Sequence, residues 1–317
     1  MWKGEKKMKV CIIGSYAKAL VMTVDRIPIA GETLIGWDYR GTFGGKGSDM
    51  AVQATRLGAE VTYIGVVGSD FHGQEFIELM KNEGIDISGL RVTDKETTGT
   101  GFIVKDVNAK NMIVVAPGAN NLFSKEDIDI NLELINESKV VLAQLEIPIE
   151  TALYSLKKGK ESGKITILNP APAVKLVDKD LSFVDILTPN ETEARIVAGI
   201  PLGSSLSNQA VADIVLKTGC KAVVMTLGDK GSEVFTKEGS YKVDSYKIDV
   251  VDSNGAGDSF NASLATALSR GGTLEEGVNY GNAVAALCCT KWETVPSYHK
   301  SKEVEEFIKS YKKESEV

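Results

Sequence analysis

Short runs of β-branched and aliphatic residues alternate with amphipathic stretches along most of the chain. Strands are predicted at 10–14, 61–67, 140–144, 165–168, 184–188 and 222–227, and helices at 46–57, 74–82, 149–162, 191–198 and 207–218. A strand covered on both faces reads as an unbroken apolar run, and the intervening helices supply the crossovers that parallel pairing needs. The pattern therefore predicts the α/β class, with a mostly parallel sheet covered by helices on both faces. Two regions, 33–42 and 98–115, are strand-like with no helix between strands, and the second holds a predicted hairpin around 107–111. They predict a small antiparallel sheet standing off the main body, able to close over a ligand or to pair with a second subunit. Toward the C-terminus, Phe260, Leu264, Ala267 and Leu268 share one face of a predicted helix. Val278, Asn282, Ala285 and Cys289 share one face of the next, where Asn282 is a polar residue on an otherwise apolar stripe.

A length of 317 residues allows one large α/β domain or two smaller ones. With no internal repeat or low-complexity linker, a single domain over 1–317 is expected. The formal charge of −7 argues against a nucleic-acid partner, which needs a basic face. The Lys-rich start, Trp2 to Lys9, reads as a solvated tail. No apolar run reaches the roughly 18 residues of a membrane span, and no signal-peptide pattern precedes Val10, so no membrane partner is expected. Cys11, Cys220, Cys288 and Cys289 form no C-x-x-C pair, which predicts core packing in a reducing cytoplasm. With only His72 and His299 in the chain, neither a His-rich metal site nor a Ser-His-Asp triad is expected.

Chemistry concentrates in 250–258, where a predicted strand runs through Asp252-Ser253-Asn254-Gly255-Ala256-Gly257 into a helix that opens with Asp258. Backbone N–H groups at a helix start point outward unsatisfied and can hold an anion. Gly255, Ala256 and Gly257 leave room for a phosphate, and Asp258 lies in the first turn beside it. On this segment alone, a cap that favours the helix dipole explains Asp258 equally well. A second loop, Gly44-Gly45-Lys46-Gly47-Ser48-Asp49, leads into a predicted amphipathic helix. It lacks the Walker A spacing, and by itself reads as a helix-entry turn.

Together the two glycine motifs resemble those of the ribokinase-like (pfkB) family of carbohydrate kinases. The resemblance runs from Val10 to about Ser297 through P-I-A-G-E at 28–32, the G-G-K-G loop, Q-L-E-I-P at 144–148, N-P-A-P at 169–172, T-P-N-E-T-E at 188–193, T-L-G-D-K-G at 226–231 and Gly255–Asp258. It implies a three-layer α/β/α sandwich with a small antiparallel β-lid, whose strands are inserted near 15–43 and 97–117. It also implies a base, Asp258, that takes the proton of a substrate hydroxyl attacking the γ-phosphoryl group of ATP, with the Gly255, Ala256 and Gly257 amides as anion hole. Gly45, Lys46 and Asp49 would line the sugar site, with Glu146 close by. Asn190 and Glu193 would organise Mg²⁺, partly through water; Thr226, Gly228 and Gly231 would border the nucleotide, and Asn282 would sit near the adenine. A K⁺ site would use Asp252, Asn254, Cys289 and Ser297, but the family's Lys-Gly-Ala-like stretch is replaced by Trp292-Glu293-Thr294, which puts K⁺ activation in doubt. A homodimer through the lid is a further implication.

The chain departs from the family's ribokinases where they read G-S-x-N-x-D, with Asn and Asp holding sugar hydroxyls. Here Ala17 and Ala19 occupy those positions, and Asp49 stands where those enzymes carry Asn. In an extended segment Lys18 faces away from Ala17 and Ala19, and cannot replace the missing groups. An unpartnered hydroxyl costs about 1–3 kcal/mol, so the expected substrate is a neutral sugar or polyol other than ribose. A nucleoside is the nearest alternative, with Trp37, Tyr39 and Phe43 near the lid to stack on a base. A non-catalytic sugar sensor would have little need of Asp258 and its glycines, and a dehydrogenase would need a G-x-G-x-x-G turn where Gly14-Ser15-Tyr16-Ala17-Lys18-Ala19 stands.

Overall fold

The computed structural model describes residues 9–108 and 110–315. Its N-terminal part runs β1 (Lys9–Ile13), β2 (Ala17–Val24), β3 (Trp37–Gly44), α1 (Lys46–Arg56), β4 (Glu60–Gly68), α2 (Phe71–Glu83), β5 (Asp86–Thr93), β6 (Gly99–Asp106) and β7 (Asn111–Ala116). The middle holds α3 (Lys125–Ile130), α4 (Leu132–Glu137), β8 (Val140–Ala143), α5 (Ile149–Glu161), β9 (Ile165–Leu168), β10 (Ile186–Leu187), α6 (Glu191–Val197) and α7 (Asn208–Leu216). Then come β11 (Ala222–Thr226), β12 (Ser232–Thr236), β13 (Gly239–Val243), α8 (Ala256–Ser269), α9 (Leu274–Cys288) and α10 (Ser301–Ser315).

Nine strands form the large sheet in the order β13-β12-β11-β10-β9-β8-β1-β4-β5. Pairing is parallel from β11 to β5, and antiparallel at the β11–β12–β13 edge. The central strands bury alternate residues on opposite faces, as the period of two requires. Val10, Ile12, Val140 and Leu142 join Met50, Phe76, Leu264 and Val278 from α1, α2, α8 and α9 in one core. Cys11, Ile13, Val141 and Ala143 join Leu156, Val197 and Val215 from α5, α6 and α7 in the other. The predicted three-layer sandwich is present.

The lid is the four-stranded sheet β3-β2-β6-β7. Its middle pair, β2 and β6, runs parallel, because both strands leave the main body in the same direction; the outer pairs are antiparallel, and the predicted hairpin joins β6 to β7. Other differences from expectation are local. Helix α2 begins at Phe71 rather than 74, since the Asp70 side chain accepts from Gly73 N and starts the helix early. The predicted 184–188 strand pairs only through Ile186 and Leu187. Burial pushes the thiols of Cys11, Cys220 and Cys288 up to about 12, 11 and 11, consistent with inert packing. The Lys-rich start lies, except for Lys9, outside the described residues. Among them no helix is long and apolar enough to cross a membrane.

Candidate active site

The carboxyl ends of the parallel strands carry the predicted site residues, the usual place for a ligand in an open α/β sheet. Gly14 and Ser15 follow β1, Gln144 to Glu146 follow β8, and Asn190 lies just beyond β10. The G-G-K-G loop is pressed onto the end of β1: a Cβ on Gly47 would lie 2.6 Å from Ser15 N and 2.7 Å from Gly14 Cα. Gly45 adopts φ +93°, and a Cβ there would meet Ala17 N and Tyr16 Cα at 2.8 Å. Only glycine permits that approach. Glu146 is fixed within this junction, because its Oε2 accepts from Ser15 Oγ at 2.6 Å and from Lys46 N at 2.8 Å. Gln144 supports it by donating to Ser15 Oγ at 2.8 Å and accepting from Glu146 N.

Facing this junction is the start of α8. Gly255 takes the left-handed conformation at φ +78°, and no side chain caps the helix. Ala256 N lies 3.3 Å from Ser253 O, so this member of the predicted anion hole is already partly engaged. A Cβ on Gly255 would strike the Tyr298 hydroxyl at 2.7 Å, whereas one on Gly257 would project into open space. Asp258, in the first turn, is buried, and its Oδ1 has no hydrogen-bond partner, although Lys46 Nζ stands 3.8 Å away. Burial pushes its carboxyl up to about 6; Lys46 opposes the rise while Glu146 and Glu193 reinforce it. Asp49 Oδ1 is also buried and unpartnered, and burial together with Asp258 and Glu146 pushes that carboxyl well up. The carboxylates of Asp258, Asp49 and Glu146 and the ammonium of Lys46 thus lie within electrostatic reach of one another.

A relay of amides absent from the sequence-based assignment holds the helix start in place. Asn169 Nδ2 donates to Thr188 O at 3.0 Å, Thr188 Oγ1 to Asn261 Oδ1 at 2.6 Å, and Asn261 Nδ2 to Gly257 O at 2.8 Å. Thr188 and Asn169 fall inside quoted motif blocks, but nothing in the chain's pattern pointed to Asn261.

The nucleotide-side residues divide. Asn190 and Glu193 cap α6 reciprocally, each side chain accepting from the other's backbone N at 2.8 Å. The Glu193 charge nonetheless helps to raise both the Asp258 carboxyl and the Lys46 ammonium. Thr226 N donates to Pro189 O at 3.0 Å, docking the end of β11 on the Asn190 turn. A Cβ on Gly228 would find open space, but one on Gly231 would lie 2.2 Å from Val243 O, so Gly231 serves packing. Asn282 gives both amide protons to Val243 O and Asp244 O, at 3.0 and 3.1 Å, and accepts from Ser232 Oγ at 2.7 Å. Its polar group on the apolar stripe is accounted for by these bonds. A cavity of about 510 Å³ opens beside the same segment, lined by Asp244, Tyr246, Glu275 and Asn279 among others.

The candidate K⁺ ligands are engaged with protein. Cys289 O accepts from Val251 N and Asp252 N, and Ser297 Oγ donates to Thr294 O and lies 3.0 Å from Cys288 Sγ. The Asp252 carboxylate accepts from Asn254 N, Asn254 Nδ2 and Glu293 N. They do not form a cage of free oxygens.

On the lid, Lys18 points away from Ala17 and Ala19, as expected, and pairs with Glu75 at 3.0 Å. Arg40 is bound by Asp38 and Glu293. Neither cation is left to replace the polar groups missing at 17 and 19. Phe43 packs against Tyr16 with ring centroids 6.4 Å apart and lies under Lys18 Nζ, so it is a packing residue; Trp37 and Tyr39 are exposed.

Comparison with known proteins follows the same lines. Residues 7–300 match the pfkB family carbohydrate kinase. A ribokinase of Haemophilus influenzae is 36% identical over 297 residues, covering 94% of this chain and 97% of that protein. A deoxyribokinase of Salmonella typhi is 30% identical over 304 residues, covering 95% and 99%. The structure of Arabidopsis thaliana ribokinase complexed with ribose and ATP superposes with a TM-score of 0.85 at 28% identity, covering 95% of this chain and 98% of that one. The expectation that ribose is not a substrate finds no support in relatives named for ribose.

Proposed function

The chain belongs to the pfkB family of carbohydrate kinases, and from that premise we propose that it transfers the γ-phosphoryl group of ATP to a hydroxyl of a small neutral sugar or polyol. The observation that carries this reading is Asp258: a buried carboxylate with an unpartnered oxygen, at the start of an uncapped helix and next to open space at Gly257. Asp258 Oδ1 accepts the substrate hydroxyl and takes its proton as the oxygen attacks, while α8 amides and Lys46 meet the negative charge of the transferring group. Mg²⁺ fits as an ion carried mainly by the phosphates, with Glu193 and Asn190 reaching it through water, where it would neutralise phosphate charge. K⁺ has no part in this reading. The expected setting is the cytoplasm.

We assign the substrate to sugars of the pentose class with few hydroxyls to satisfy on the lid side. Ala17 and Ala19 offer methyl groups there, and the neighbouring cations are committed elsewhere. An unpaired hydroxyl costs about 1–3 kcal/mol, so 2-deoxyribose should exceed ribose in kcat/KM by roughly tenfold or more. An ADP-release assay with MgATP against ribose, 2-deoxyribose, ketohexoses, polyols and nucleosides tests the reading. Turnover confined to nucleosides would replace it, and equal use of ribose would remove the pocket argument.

A homodimer through the lid belongs to the same reading. Strand pairing puts Met22, Phe102, Met112 and Val114 on the face opposite Ala17 and Ala19, and all four are exposed. An apolar face on a sheet with a free β7 edge suits a second copy. Val114→Lys should convert a dimer to a monomer in sedimentation equilibrium; a wild-type monomer would overturn the assignment.

A further inference from the structure

We propose that Arg40 and Glu293 are positioning residues that latch the lid closed and tie it to the anion hole, an inference that rests on the kinase reading above. Trp292, Glu293 and Thr294, the three residues that replace the Lys-Gly-Ala-like stretch, each hold a lid strand. Lys105 Nζ of β6 sits 5.6 Å from the centre of the Trp292 ring. Arg40 Nη1 of β3 donates to Glu293 Oε1 at 2.8 Å, and Thr294 Oγ1 donates to Phe43 O of β3 at 3.2 Å.

The geometry of the central pair is prepared in advance. Asp38 accepts from Arg40 Nε at 2.9 Å and Nη2 at 2.6 Å, which aims the remaining nitrogen at Glu293. Glu293 itself is held at φ +71°, a conformation unfavourable for a residue with a side chain. Below the pair, Glu293 N donates to Asp252 Oδ2 at 3.1 Å, and Asp252 Oδ1 accepts from Asn254 N at 3.0 Å. Gly255, the next residue, opens α8. One short chain of bonds thus runs from the lid to the phosphate-binding helix start.

A pair this exposed adds little to global stability, but a lid poised between open and closed responds to small biases. Removing the latch lowers the closed fraction, and the apparent affinity for sugar falls in proportion.

The test is a double-mutant cycle of Arg40→Gln and Glu293→Gln, read by hydrogen exchange of β2, β3 and β6 without substrate and by sugar KM. Each single variant should speed lid exchange and raise sugar KM roughly five- to tenfold with kcat little changed, and the double variant should be no worse than either. Glu293→Gly, which relieves the φ strain but removes the carboxylate, should behave like Glu293→Gln. Multiplying effects, or exchange and KM unchanged in the single variants, would overturn the latch. Exchange needs no substrate, so a sugar panel without turnover would sink the kinase reading while leaving the latch to be judged by exchange alone.

Discussion

Asp258→Asn should lower kcat by about 10²–10⁴-fold, leave nucleotide binding largely intact, and make the protein more resistant to heat above pH 6. The two effects share one cause. Burial pushes the Asp258 carboxyl from 3.8 up to about 6. Between those values the folded chain holds a proton that the unfolded chain has lost, so stability falls as pH rises through the window and the full cost persists above it. A shift of this size corresponds to roughly 2–3 kcal/mol with the opposing pull of Lys46 already included, and an amide reproduces the contacts of the neutral acid only in part. A net gain of about 1–2 kcal/mol, a few degrees in Tm, is expected at pH 7–8 and should vanish by about pH 4. Wild-type kcat/KM should halve near pH 6 and fall about tenfold per unit below it, while the residual activity of the variant should lack that limb. Calorimetry and pH-rate profiles on both proteins check the argument. Wild-type turnover in the variant would remove Asp258 as the base; a less stable variant at pH 8 would mean its burial imposes no such cost.

What the sequence disclosed depends on how far each interaction reaches. Most of the parallel strands were legible because burial on both faces writes a local apolar run, whereas the glycine turn before Asp258 fits a helix cap equally well and singled that residue out only together with the other motifs of the family. Strands β5, β12 and β13 went unrecognised: they lie toward the two ends of the sheet, where exposed positions interrupt the buried ones and no continuous apolar run forms. Asn282 was singled out correctly as an oddity, yet its bonds to Val243 and Asp244 lie 39 and 38 residues away and have no local signature. The same holds for Arg40 and Glu293, separated by 253 residues. Trp292-Glu293-Thr294 could be read only as a departure from a family pattern, because the contacts that give it meaning are all with the lid. Lys18 was placed correctly, since the period of two in a strand is local information.

Gly257→Ala separates what the helix start does for the fold from what it does for a phosphate. The contrast is Gly45→Ala: there φ is +93° and the added Cβ meets backbone atoms at 2.8 Å, so activity would be lost together with the loop's structure. At Gly257 the backbone is helical and an added Cβ meets nothing within 4 Å. Replacing glycine by alanine in a helix is worth about 0.5–1 kcal/mol, less in the first turn, so the variant should be as stable as wild type or slightly more. If the open space is where the transferring phosphoryl group sits, the methyl group enters that space and keeps the group from the α8 amides. Displacement from a single such donor costs on the order of 10²–10³ in turnover. Gly257→Ala should therefore keep its Tm and lose at least about 10²-fold in kcat/KM for ATP, with sugar binding in the absence of nucleotide unaffected. Loss of Tm would show that the position is structural after all. Retained activity would place the phosphoryl group elsewhere, and with it the proton that Asp258 is expected to take.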